Sequence, residues 1–196
     1  GLVKEVHGLA IPCDVSNADD VERLFSAVDD AMGRLDVVLF NASFRTRGPI
    51  EELPAGDVER ALMVGAYGGF LVGRAATQRM LKQGHEGGRG TILFTGASAS
   101  VKGYPQSAPF AMAKFALRGL AQSMARELAP KGIHVAHVVV DGGVRNSERG
   151  RMEAPDDKPD SLLDPEAIAE TYLHLVRQPR SAWTWEIELR PWVERF

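Results

Sequence analysis

Three short runs, residues 35–40 (LDVVLF), 91–95 (TILFT) and 133–140 (IHVAHVVV), are apolar almost throughout, and long segments of helical periodicity stand between them. A strand with one wet face alternates apolar and polar residues, whereas a near-continuous apolar run is a strand buried on both faces. Such strands belong to parallel sheets whose crossover helices cover either side. The expected architecture is therefore α/β, a doubly wound parallel sheet with helices on both faces. A length of 196 residues fits one domain over residues 1–196.

The segments between these runs carry their own start and stop signals. Residues 8–15 (GLAIPCDV) read as a further buried strand ending at Asp14, followed by a Ser16/Asn17 cap, a helix over 18–32 and a stop at Gly33. A long helix is expected over 57–82. It holds Gly65, Gly68 and Gly69 at up to ~1 kcal/mol each relative to Ala, which close helix packing explains. Gly87-Gly88 reads as a flexible connection, because no strand precedes it and no helix follows in the manner of a phosphate loop. A second long helix over 110–129 presents Leu117, Leu120, Ala121, Met124 and Leu128 on one face. Asp141-Gly142-Gly143 makes a turn, and the polar, proline-bearing segment 145–161 reads as a flap. Asp164-Pro165-Glu166 starts a helix that runs to Arg177, and 182–189 forms a last strand.

Composition narrows the partners. A formal charge of −3 with scattered Lys and Arg gives no basic footprint for nucleic acid. Cys13 is the one cysteine, so no disulfide forms within the chain and a reducing, cytoplasmic setting is expected; no Cys/His spacing suits a metal. No apolar run approaches the ~18 residues of a membrane span.

Four pieces, in this order and spacing, resemble the short-chain dehydrogenase/reductase family over nearly the whole chain. They are Asp14-Val15 at a strand end, Asn41-Ala42-Ser43 where the family has Asn-Ala-Gly, the helix KFALRGLAQSMARELAPKGIHV, and Asp141-Gly142 where the family has Pro-Gly. The resemblance implies hydride transfer between NAD or NADP and a small carbonyl or alcohol, through an Asn, a Ser, a Tyr and a Lys. The Lys stands four residues after the Tyr, on the same helix face, where its charge lowers the phenol's pKa. Here that pair is Phe110 and Lys114, and Phe110 has no proton to give or take. The Ser position falls on Ala97, with Ser98 next to it, and the Asn position on Gly65. Only Lys114 remains, as the catalytic residue and the ligand of the nicotinamide ribose.

By the same resemblance Asp14 and Val15 lie at the adenine, although Asp14 can equally serve the following helix. Asn41 ties adjacent strands, Ala42 and Ser43 lie near the cofactor, and the Gly142-Gly143 turn borders it. The family also opens with a glycine-rich βαβ unit that seats the pyrophosphate. The chain starts just before the expected third strand, so it reads as an N-terminally incomplete domain without that unit.

Tyr104, Ser98, Ser100 and Ser107 border the expected site and are candidates for the lost proton donor. His134, His137 and His85 read as structural or solvated, Asp156-Asp157-Lys158 as part of a lid or a solvated flap, and Trp183, Trp185 and Trp192 as core or subunit contacts. Two functions follow. One is an NAD(P)-dependent oxidoreductase with a degenerate catalytic site. The other is a non-catalytic binding or assembly module. Either is expected to form a homo-oligomer through the helices at 57–82 and 110–129.

Overall fold

The computed structural model describes residues 6, 8–84, 89–146, 150, 154 and 159–193. Its centre is a sheet of four parallel strands, β1 (Val37–Phe40), β2 (Gly90–Thr95), β3 (Ile133–Val140) and β6 (Glu186–Leu189), in the order β1-β2-β3-β6. The register sets Val37 opposite Thr91, Thr91 opposite His134, and His137 opposite Glu186. β3 is buried from Ile133 to Val139, as its unbroken apolar run requires of a strand covered on both faces. A two-stranded ribbon, β4 (Gly143–Val144) with β5 (Leu162–Leu163), stands beside the sheet.

Helices cover both faces. On one lie α1 (Ala18–Met32), α3 (Gly68–Met80) and α4 (Ala108–Leu128), whose Phe25, Val72, Ala76, Met80, Leu117 and Ala121 close a core over Phe40, Ile92 and Phe94. On the other, α5 (Pro165–Arg177) sets Leu175 against Leu93, Ala136 and Val138. Alternate residues of β2 thus feed two cores, as the two-residue side-chain period of a strand dictates.

Local chemistry fixes the helix ends. Asn17 Oδ1 accepts from the backbone N–H of Asp19 at 2.9 Å and of Asp20 at 3.2 Å, and Gly33 closes α1 with a φ of 68°. Asp164 caps α5 with Pro165 at its first position. No helix among the described residues is long and apolar enough to cross a membrane.

Two expectations need correction. Residues 8–15 form no strand: no described strand lies beside them to complete a ladder, and the Asp14 carbonyl instead accepts from Asn17 N in a tight turn. The helix expected at 57–82 is three pieces, α2 (Ala55–Leu62), a π turn at Met63–Tyr67, and α3. The glycines of this region do serve close packing. A Cβ on Gly65 would stand 2.9 Å from Ala113 Cβ on α4, and one on Gly68 would stand 3.0 Å from both Val15 Cγ2 and the Val15 carbonyl oxygen. His85, Gly87-Gly88, Asp156, Asp157 and Lys158 lie outside the described residues.

Candidate active site

The carboxyl ends of β1, β2 and β3 open into a cleft of about 620 Å³. This is where an open parallel sheet receives ligands. β1 runs into Asn41 and Ser43, β2 into Thr95, Gly96 and Ala97, and β3 ends at Val140. α4 contributes Phe110 and Lys114 from one face, four residues apart. α5 contributes Pro165, Ile168, Ala169 and Tyr172, the i, i+3, i+4, i+7 stripe of a helix. Another cleft, of about 470 Å³, lies near the amino ends of β1 and β2 around Arg34, Asp36 and Arg180, away from this constellation.

Lys114 is 3% exposed, and its Nζ donates to the Thr95 carbonyl oxygen at 2.7 Å. Burial pulls its pKa down to about 8, and no carboxylate among the described residues pairs with it. The Phe110 ring takes the place of a hydroxyl with a π face. Lys114 Nζ lies 5.7 Å and Arg45 Cζ 5.1 Å from its centroid, both within cation–π range.

Thr95 faces both ways. Its carbonyl holds Lys114, and its Oγ1 lies 2.8 Å from the Tyr172 hydroxyl. Burial pushes the Tyr172 phenol upward, with the Thr95 hydrogen bond opposing, so the phenol keeps its proton at neutral pH. Thr95 and Tyr172 are site residues that sequence reasoning missed; the signal was the stripe from Pro165 to Tyr172.

Beneath the cleft, Glu186 accepts from Arg118 Nε at 2.6 Å and Nη2 at 2.7 Å, and lies 3.0 Å from His137 Nδ1. Burial works to raise the Glu186 carboxyl, but Arg118 and His137 together hold it below its ordinary value. The ionised carboxylate assigns the proton to His137 Nδ1, leaving buried Nε2 without a hydrogen-bond partner among the described residues. A Cβ on Gly96 would run into this ring, so the bare backbone at the β2 end is what lets the imidazole sit there.

The structure gathers some of the expected residues and not others. Asn41, Ser43, Ala97, Phe110 and Lys114 converge on the cleft. Asn41 follows β1 at the cleft wall, and Ala42 packs against the core beside β1. Gly142 and Gly143 lie just outside, between the lining residues Val140 and Val144; Gly142 has a φ of 154°, and a Cβ on it would stand 2.7 Å from Pro191 Cδ. Asp14 and Val15 are elsewhere. Asp14 Oδ1 accepts from Ser16 N at 3.0 Å and Ser16 Oγ at 2.7 Å, which lowers its pKa, and Val15 packs on Gly68. Gly65 faces α4. Of the candidate donors, Tyr104 is exposed, Ser100 Oγ accepts from Ala97 N, and neither these nor Ser98 and Ser107 line the cleft. Trp183 stacks on His134 with centroids 4.9 Å apart, a packing role for both, while Trp192 is largely exposed.

Lys114, Asn41, Ser43 and Asn146 present donors and acceptors suited to ribose hydroxyls and an amide, against a wall of Leu39, Val140 and Val144. These residues fit the nicotinamide-ribose end of a dinucleotide. The start of α1 does not fit a pyrophosphate, because its first turn carries Asp19 and Asp20.

Similarity to known proteins agrees with this arrangement. Residues 1–184 match the enoyl-(acyl carrier protein) reductase family profile. A short-chain dehydrogenase/reductase of Armillaria gallica is 33% identical over 159 residues, which is 81% of this chain and 59% of that protein. The chain thus spans less than two thirds of this relative's length. A short-chain dehydrogenase crystal structure from Rhodopseudomonas palustris shares 37% identity and superposes with a TM-score of 0.79, over 97% of this chain and 80% of that one. An alcohol dehydrogenase from Thermococcus sibiricus, solved with 5-hydroxy-NADP, shares the fold at 24% identity and a TM-score of 0.78, over 93% of this chain and 74% of that one. The chain belongs to the short-chain dehydrogenase/reductase family, an oxidoreductase family with a Rossmann-like fold.

Proposed function

We propose that the protein is a nicotinamide-dependent oxidoreductase acting on a small carbonyl or alcohol, with a catalytic set reduced to Lys114 and completed by residues outside the usual positions. The observation that carries this reading is the convergence of Lys114, Asn41, Ser43 and the Thr95–Tyr172 hydroxyl pair on one cleft at the carboxyl ends of the strands. NAD or NADP supplies the hydride when bound, a choice of cofactor class supported by membership of this oxidoreductase family. Lys114 holds the ribose hydroxyls, and Asn41 and Ser43 orient the nucleotide. Phe110 closes the cleft as an apolar wall and takes no part in proton transfer. The Thr95–Tyr172 pair hydrogen-bonds the substrate oxygen, and Tyr172 holds the proton that Phe110 cannot.

Restoring the two lost hydroxyls tests this reading. Phe110→Tyr with Ala97→Ser is expected to raise reduction of a carbonyl probe by roughly 100-fold or more, because a phenol four residues from Lys114, with its pKa lowered by that ammonium, is a stronger proton donor than the Tyr172 phenol, which burial pushes upward. No gain in a folded chain that binds nucleotide, together with carbonyl reduction that Tyr172→Phe leaves unchanged, would show that the cleft is not built for hydride transfer.

A second reading, an assembly module without catalysis, is favoured by one observation. Tyr67 and Phe70, stacked with centroids 6.3 Å apart, and Met112 and Phe115 on α4 are all exposed large apolar side chains. Such a surface suits association of two copies through α3 and α4, and the two readings are compatible.

A further inference from the structure

Lys114 differs from lysines whose only task is to carry charge. Lys102 donates to Asp141 Oδ2 at 3.0 Å and Lys131 to Glu127 Oε1 at 2.9 Å, so each is paired with a carboxylate. Lys114 has a backbone carbonyl as its hydrogen-bond acceptor, an aromatic face beside it, and a cleft in front of it lined by no carboxylate among the described residues. A phenol lines the same cleft, joined through Thr95. A lysine stripped of water and unpaired is the setting in which amines become nucleophiles toward carbonyl carbon.

We propose that Lys114 is an imine-forming residue that condenses with small aldehydes and ketones admitted to the cleft. The Nζ lone pair forms a C–N bond to the carbonyl carbon while the C=O π pair moves to oxygen. Both amine protons pass to that oxygen, which leaves as water, and a C=N bond remains. Tyr172, protonated at neutral pH, passes one proton to the departing oxygen and recovers one from the nitrogen. No oxidant, reductant or bound nucleotide takes part, so this chemistry stands apart from the oxidoreductase reading. The depressed basicity of Lys114 supports it by leaving part of the amine uncharged near neutral pH.

The test is reductive trapping of the full chain with acetaldehyde and sodium borohydride at pH 7.5, followed by peptide mass mapping. We expect labelling at Lys114 to exceed that at Lys102 and Lys131 by about tenfold or more, since those two donate to carboxylates while Lys114 borders a cleft whose described lining holds none, and a Lys114→Met chain to lose this label alone. Equal labelling of the three lysines, or an unlabelled Lys114 in a chain shown folded by circular dichroism, overturns the proposal. The wild-type map decides the matter even where the variant does not fold. Adding NADPH separates the two readings. Protection of Lys114 ties the amine to the nucleotide site, whereas labelling that NADPH leaves unchanged counts against the nicotinamide reading and keeps the imine site.

Discussion

The Lys114 ammonium donates to the Thr95 carbonyl oxygen across 2.7 Å, which fastens an amine carried by α4 to the end of β2. One neutral acceptor offsets little of the cost of taking a cation out of water. The sheet end and the helix therefore hold a group that the fold would be more stable without, which is the usual state of a residue kept for its chemistry.

Lys114→Met is expected to stabilise the chain at pH 7, by up to about 3 kcal/mol. The folded-state pKa of Lys114, about 8, lies below its ordinary 10.5, so the folded chain binds fewer protons between these values. The penalty is then complete below pH 8 and fades as pH rises to 10.5. Urea denaturation at pH 7 and pH 10 checks this: the gain from the substitution shrinks at the higher pH. A variant less stable than the parent at pH 7 would mean that packing or an ion pair, not desolvation, governs this lysine.

Gly65→Asn, which would restore the side chain of the family's tetrad, is expected to destabilise by about 1–3 kcal/mol. The obstacle is Ala113 Cβ, 2.9 Å from where the new Cβ must go, and a Cβ cannot swing aside. A thermal melt checks it, with Gly65→Ala showing the same sign. Restoring the Tyr and Ser while leaving Gly65 alone is thus the substitution set that the packing allows.

His134 and His137 are buried in β3, and burial lowers the pKa of each despite opposing hydrogen bonds to Thr184 and Glu186. From about one pH unit above 6.5 both are neutral folded and unfolded, and stability no longer changes with pH through them. As pH falls below 6.5 the unfolded chain takes up protons first, so stability drops, by at most about 1.4 kcal/mol per histidine per pH unit. Denaturation midpoints at pH 7.5, 6.5 and 5.5 should fall a little across the first pair and more steeply across the second. His137→Gln should flatten part of that fall, whatever it costs at pH 7.5.

Phe115→Arg on α4 is expected to shift a dimer or larger assembly toward monomer in light scattering, with the circular dichroism spectrum unchanged. Phe115 is exposed and so costs the core nothing. An assembly of unchanged mass in the variant would remove this helix face from the interface.

Legibility in the sequence followed the physics of each element. Residues 133–140 were readable because burial on both faces leaves an unbroken apolar run, and α1 was readable because its caps are side-chain chemistry at fixed offsets. Residues 8–15 have the same apolar wording but no ladder, since a strand is a relation between two segments and one segment cannot report its partner. Lys114 was found by its spacing from Phe110. Tyr172 was not, because a tyrosine on the inner face of a helix reads as core until Thr95 is seen opposite its hydroxyl. The π turn at Met63–Tyr67 left only its glycines as a trace.

The most direct test of the site is a fluorescence titration of the chain with NADPH and NADH, run beside Lys114→Met. Saturable binding by the parent, lost or weakened by about tenfold or more in a folded variant, is the expected result, since the lysine is placed to hold the ribose. Equal binding by both chains, or none by a folded parent, would contradict the assignment of this cleft to a nicotinamide cofactor.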